Sequence, residues 1–237
     1  MTTVLFIHGF PFDHSQWRHQ VGAVPGWRCI APDLPGAGVT RGFDSTDDYS
    51  VASYATHLIG ILDQAEVGQA VICGLSMGGY IAFELLRRVP DRVRAAVLSN
   101  TKATPDTAEA KRGRDLLAAK AQKEGAPAVA KELVPKLVVQ PEVVGEVTAM
   151  IERQPVAGIV GALRALRERP DSTPLLATLR IPVLVVAGAD DRIAPAEGMQ
   201  QMAHAIPGAR FVVIPRSGHL TPLEQPRAFN AELGAFL

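Results

Sequence analysis

The chain has 237 residues, and its 24 Lys+Arg balance 24 Asp+Glu. With no charge excess and no basic stripe, nothing points to a nucleic-acid or anionic-membrane partner. A hydrophobic share of 47 % with 20 % charged residues fits a packed globule and excludes a disordered chain. In chain order, Val4-Leu5-Phe6-Ile7 is a continuous apolar run ended by His8-Gly9 and reads as a buried strand. Arg28-Cys29-Ile30-Ala31, stopped by Pro32, reads as a second, and Ala70-Val71-Ile72-Cys73, stopped by Gly74, as a third. Residues 93–98, 182–187 and 211–214 supply a fourth, fifth and sixth. Helical spacing of apolar residues predicts helices over 51–65, 78–89, 196–205 and 222–237. Strands alternating with helices imply right-handed crossovers, hence an α/β doubly wound, mostly parallel sheet of about six strands.

Residues 104–179 break this rhythm. They hold no strand-like run and are rich in Ala, Leu, Glu, Lys and Arg, cut by Pro127, Pro135, Pro141, Pro155, Pro170 and Pro174. Three or four short helices are expected there, over 106–124, 128–137, 142–154 and 156–169, as one insertion between the fourth and fifth strands. The two cysteines, Cys29 and Cys73, lie in apolar runs and cannot make a disulfide framework or a four-thiolate metal site. No Walker loop, EF-hand loop or His/Cys cluster occurs, so neither cofactor nor metal is expected. Pro35-Gly36-Ala37-Gly38 lacks the glycine register and following helix of a dinucleotide loop. No apolar run nears the roughly 18 residues of a membrane span. The first residues carry neither the charged region nor the cleavage site of a signal peptide. A soluble cytoplasmic protein is therefore expected.

Gly74-Leu75-Ser76-Met77-Gly78-Gly79 follows a buried strand and opens a helix, the context of a G-x-S-x-G nucleophile elbow. So tight a turn strains the serine backbone and demands near-absent side chains two residues to either side, at Gly74 and Gly78. The competing role for Ser76 is simple helix capping. His8-Gly9-Phe10-Pro11 ends the first strand, and the amides of Phe10 and Met77 can together form an oxyanion hole. A serine nucleophile needs a base. Of the six histidines, His14, His19, His57 and His204 fall in or beside helical stretches, and His8 serves the turn. His219, in the loop after the last strand, remains. Asp190 and Asp191 follow the fifth strand; either can orient the imidazole, the other capping the local turn.

These motifs resemble the α/β-hydrolase fold superfamily, in particular its small lid-bearing serine esterase, lactonase and perhydrolase-like branch. His8 to Pro11, Asp33 to Gly38, Gly74 to Gly79, Gly188 to Pro195, and Gly218-His219 with Glu224-Gln225-Pro226 occur in that branch's order over nearly the whole chain. The resemblance implies Ser76 as nucleophile, His219 as base and Asp191 as acid, with Phe10 and Met77 as oxyanion donors. The fold's alternative acid position, after the fourth strand, reads Leu98-Ser99-Asn100-Thr101 here and has no carboxylate. Residues 104–179 resemble the helical lid; residues 1–103 and 180–237 resemble the hydrolase core. Relatives begin with two further strands, so an altered sheet edge is expected.

The implied reaction is hydrolysis of a small to medium ester or lactone through an acyl-enzyme. A cofactor-free perhydrolase (haloperoxidase) or C–C hydrolase using the same triad is the alternative, and a non-catalytic ligand-binding protein the remote one. Serine at position 76 disfavours the haloalkane dehalogenase and epoxide hydrolase relatives, which use aspartate. The expected partner is that small molecule, with no nucleic acid or membrane, the chain being monomer or homodimer. Because residues 104–179 contain no Phe, Tyr or Trp, lid contacts must come from aliphatic side chains, Met150 or polar groups, and aromatic walls from Phe10, Phe12 and Trp17.

Overall fold

The computed structural model describes residues 2–237. β1 (Thr3–Ile7) is buried along its whole length. It pairs in parallel with β2 (Arg28–Ile30) on one side and β3 (Ala70–Leu75) on the other. β4 (Val93–Ser99), β5 (Val183–Gly188) and β6 (Arg210–Ile214) extend the sheet beyond β3. All pairs are parallel, in the order β2-β1-β3-β4-β5-β6. The chain thus leaves β1 in one direction and returns to its other side. At such a reversal the crossovers part, opening a crevice beyond the carboxyl ends of the strands. Here that crevice lies at the ends of β1 and β3. Burial on both faces holds for β1, β3 and β5, whereas the edge strands β2 and β6 are half-exposed.

α1 (Val51–Gln64) starts at a reciprocal capping box between Ser50 and Ser53 and buries Tyr54, Leu58 and Leu62 on one face. α2 (Met77–Arg88) begins directly at the end of β3 and packs on α1 and the central strands. Between β4 and β5 run α3 (Ala108–Glu124), α4 (Ala126–Leu137), α5 (Pro141–Glu152), α6 (Val156–Arg167) and α7 (Thr173–Leu176). The four long helices follow the sequence pattern. Pro135 lies inside α4, as the helix expected over 128–137 requires. It sits in the last turn of α4, so the amide bond it removes and the disturbance it causes fall at the helix end. α7 is an additional single turn, begun by Pro174 in its first turn. α3 packs on α6, and α4 on α5. After α8 (Ala196–His204), the single final helix expected over 222–237 is two pieces, α9 (Thr221–Glu224) and α10 (Pro226–Phe236). Gln225 leaves the helical region, and Pro226, with no amide hydrogen, starts the second piece. Among the described residues no helix is long and apolar enough to cross a membrane.

The inserted helices are tied to the loop after β6 by backbone, not by apolar contact alone. The His219 amide donates to the Leu137 carbonyl at the end of α4, 2.8 Å away. Glu224, buried at the base of this loop, accepts from the amides of Gly218 (2.8 Å) and Leu220 (3.3 Å) through Oε1. Its Oε2 accepts from Val139 (2.7 Å) and Gln140 (3.1 Å), in the α4–α5 connection. Removing this carboxylate strands donors in an interior that water reaches poorly, which costs on the order of 3 kcal/mol. Glu224→Ala is therefore expected to lower the urea unfolding midpoint strongly, and Glu224→Gln, which keeps one oxygen, about half as much. Superimposable curves for Glu224→Ala and the parent would overturn this account.

Candidate active site

Ser76 closes β3 and precedes the first residue of α2 with φ +53°, a left-handed conformation that L-residues rarely hold. The surrounding glycines explain how. A Cβ at Gly78 would be driven into the Ile7 carbonyl, and one at Gly74 into the carbonyl of Gly78. Short bonds to the Ser76 backbone hold the strained unit. The Ser76 amide donates to Ser99 O (2.9 Å), and the Ser76 carbonyl accepts from the Gly79 amide (2.9 Å) and Thr101 Oγ1 (2.8 Å). The Ser76 side chain makes no capping bond to α2. Its hydroxyl instead meets His219.

His219 Nε2 lies 2.8 Å from Ser76 Oγ, and its Nδ1 lies 2.8 Å from Asp191 Oδ2. All three side chains come from loops at the carboxyl ends of strands, after β3, β5 and β6. Burial pushes the Asp191 carboxyl up, but the bond and charge of His219, the Ala194 amide and Asn100 outweigh it and leave it below its usual range. An ionised Asp191 only accepts, so the proton of a neutral imidazole sits on Nδ1. Nε2 is then free to accept from Ser76.

Asp191 does more than meet His219. Its Oδ1 accepts from the amides of Ile193 (2.8 Å) and Ala194 (3.0 Å), so Asp191 caps its own turn. That corrects the expected division of labour, in which Asp190 did the capping. The Asp190 side chain is exposed and only its backbone amide is engaged, by Ser217 O at 2.9 Å. Asn100, fully buried with φ +48°, fills the position after β4 that lacks a carboxylate. Its Nδ2 donates to Asp191 Oδ2 (2.9 Å) and Gly218 O (3.1 Å), and Ser99 Oγ donates to its Oδ1 (2.7 Å). Neither Asn100 nor Glu224 was singled out from residue pattern as part of this network. Both are polar side chains beside strand or helix ends, and that is the only local signal they carry.

The loop after β1 is equally fixed. His8 is buried, and burial lowers the pKa of its imidazole. Its Nε2 accepts from the Leu34 amide (3.0 Å) and its Nδ1 donates to Gly9 O (2.9 Å). The Gly9 amide donates to Gln16 Oε1 (2.9 Å). Among the described residues the amides of Phe10 and Met77 meet no protein acceptor. Both residues line a small cavity of about 20 Å³, room for roughly one water. Phe12 and Tyr54 supply its other aromatic groups, and Gln154, Ile159 and Ala162 close it from the inserted helices. Trp17, an expected wall, instead packs in the core against Phe6 and Phe229, and Met150 is likewise absent from the lining. The core loop and the α5–α6 junction are joined by a bidentate pair. Arg153 donates Nε to Asp13 Oδ2 and Nη2 to Oδ1, each at 2.8 Å. Gln154 adds a bond to Asp13 (2.8 Å) and accepts from the Gly38 amide (2.9 Å). Asp13, His14 and Asp33 cluster closely enough to suggest an ion site, but these oxygens already accept from Ser15, Arg153, Gln154, His14 and Val39.

The family model for the alpha/beta hydrolase fold matches residues 2–226. The chain belongs to that family. A thermophilic esterase from Thermogutta terrifontis, solved with malate bound, superimposes with a TM-score of 0.95 at 38 % identity, covering 98 % of this chain and 88 % of that one. The enol-lactonase from Burkholderia xenovorans LB400 is similar at 26 % identity and a TM-score of 0.91, over 99 % of this chain and 90 % of its own. The 3-oxoadipate enol-lactonase 2 of Acinetobacter baylyi is 27 % identical over 99 % of this chain and 88 % of its length.

A lowered carboxyl binds its proton less tightly folded than unfolded. The stability that Asp191 contributes is thus full above the unfolded value of about 3.9 and is lost as pH falls through the lower folded value. Urea midpoints of the parent and Asp191→Asn, measured from pH 7 to pH 3, are expected to converge toward acid. A gap that stays constant would contradict the assignment.

Proposed function

We propose that the chain is a serine hydrolase that cleaves a carboxylic ester or lactone of small to medium, aliphatic substrates through an acyl-enzyme. One observation carries this reading: a single line of hydrogen bonds, 2.8 Å at each step, from Ser76 Oγ through His219 to Asp191. His219 takes the Ser76 proton as the oxygen attacks the carbonyl carbon. The amides of Phe10 and Met77, which have no other acceptor, hold the oxyanion. His219 then protonates the leaving alcohol, and a water activated by the same ring cleaves the acyl-enzyme. Asp191 stabilises the imidazolium formed in both halves. The esterase and lactonase activities named for the similar proteins support the ester and lactone class. In this reading residues 1–103 and 180–237 form the catalytic core and 104–179 a lid, supported by Gln154, Ile159 and Ala162 lining the cavity beside the oxyanion donors.

Fluorophosphonate treatment is expected to add one adduct by intact mass, absent in Ser76→Ala; labelling that survives the substitution would sink the proposal. Asp191→Asn is expected to lower kcat by about 10⁴, and Asp190→Asn by far less, the reverse ranking at matched stability refuting the assignment. The inserted helices bring Ile159 and Ala162 to this cavity and no aromatic ring, so contacts from that side select by size and burial rather than stacking. Along a series of p-nitrophenyl esters, kcat/KM is expected to peak between acetyl and hexanoyl, and a peak at dodecanoyl or longer would refute the size argument. Peracid formation, assayed on the same preparation with hydrogen peroxide, reports whether peroxide rather than water takes the acyl group.

A further inference from the structure

Lys102 follows Thr101 in the loop leaving β4 and is half-buried. Among the described residues it meets neither a carboxylate at ion-pair distance nor a hydrogen-bond acceptor. The two carboxylates whose charge reaches it are committed elsewhere. Asp106 is shared by Arg169 (2.6 Å) and Arg114 (3.1 Å). Asp191 is taken by His219, Asn100 and two backbone amides. Three cations therefore face one locally available carboxylate. Burial, reinforced by Arg169, holds the Lys102 ammonium below the ordinary lysine range, as expected of a charge that lacks its counter-ion.

This side chain borders a cavity of about 320 Å³, bounded by the loop 102–104, α7 and α8. It shares no lining residue with the cavity at Phe10 and Met77. Its wall is built largely from Leu176, Ala194, Met199 and Met202. A volume of this size accepts a small ligand. The lining carries one cation, the neutral polar groups of Thr104, Thr173 and Gln201, and an otherwise aliphatic wall. A phosphate or sulfate, with up to two negative charges, would call for more than one cation, whereas a single ammonium over apolar side chains matches one carboxylate on a hydrocarbon chain.

We propose that this cavity is a second binding site, for an aliphatic monocarboxylate whose carboxylate pairs with Lys102 and whose chain lies against Leu176, Met199 and Met202. The site is independent of the reaction assigned to Ser76. It nevertheless touches the triad's support, because Ala194, whose amide donates to Asp191 Oδ1, forms part of its wall.

The methionines provide a site-resolved test, since Met199 and Met202 line this cavity, Met77 lines the other and Met150 lines neither. Protein carrying ¹³C-methyl methionine is titrated with hexanoate. Saturable shifts are expected at Met199 and Met202 and none at Met150. Lys102→Gln is expected to weaken the hexanoate midpoint at least tenfold while leaving the ligand-free methyl spectrum in place, which controls for folding. Hexanamide, with a similar chain and no charge, and acetate, with the charge and almost no chain, are each expected to bind at least tenfold more weakly. The proposal is overturned if hexanamide binds as tightly as hexanoate, if Lys102→Gln leaves the midpoint unchanged, if shifts appear at Met77 alone, or if no shift saturates.

Discussion

The close approach of the β3–α2 turn to the end of β1 is the constraint from which the site follows. Gly78 sits so near the Ile7 carbonyl that no side chain fits, and Gly74 is pressed as closely against Gly78. Ser76, between them, has little choice but a left-handed backbone, worth about 1–3 kcal/mol of strain. The fully buried β1 and β3, paired over five positions, offset that strain by fixing both walls of the turn. The same proximity brings the Phe10 loop beside the first amide of α2. The serine hydroxyl and the two unclaimed donors are thus consequences of one backbone packing event.

The polar network behind His219 obeys a different rule. Each member is buried, so each needs its partners supplied by the protein. Asn100 after β4, Asp191 after β5, and Gly218 and His219 after β6 bond one another across adjacent strands. The parallel order β4-β5-β6 puts these loops side by side. Glu224 then connects the last of them to the inserted helices. An imidazole held from both its backbone amide and its ring cannot swing away from Ser76 without breaking several bonds.

Local pattern was enough to single out Ser76, a glycine-flanked serine between a buried strand and a helix, whose hydroxyl the structure brings to His219. It also located His219 and the Asp190-Asp191 pair, since strand ends are visible as apolar runs stopped by Gly or Pro. Choosing Asp191 over Asp190 came from family resemblance, and the hydrogen bonds give the physical reason for the choice. Asn100 was legible only as a missing carboxylate, because its partners lie 91 and 118 positions away. Trp17 was misjudged for a similar reason: nearness in sequence to Phe10 says nothing about the direction of its ring, which faces Phe229. The break at Gln225 was hidden because the apolar spacing continues across it, while the backbone is decided by the proline that follows.

The clasp of Arg153 and Gln154 on Asp13 bears on how such proteins can be recombined. The inserted helices are not a freely exchangeable module. Their α5–α6 junction carries the partners of a buried carboxylate that belongs to the β1 loop, next to Phe10. A chimera that takes these helices from a relative without a matching Arg-Gln pair would leave Asp13 desolvated and disturb the very loop that carries Phe10. Grafts ending within α3 and α4 leave this clasp intact, because Arg153 and Gln154 follow both helices in the chain.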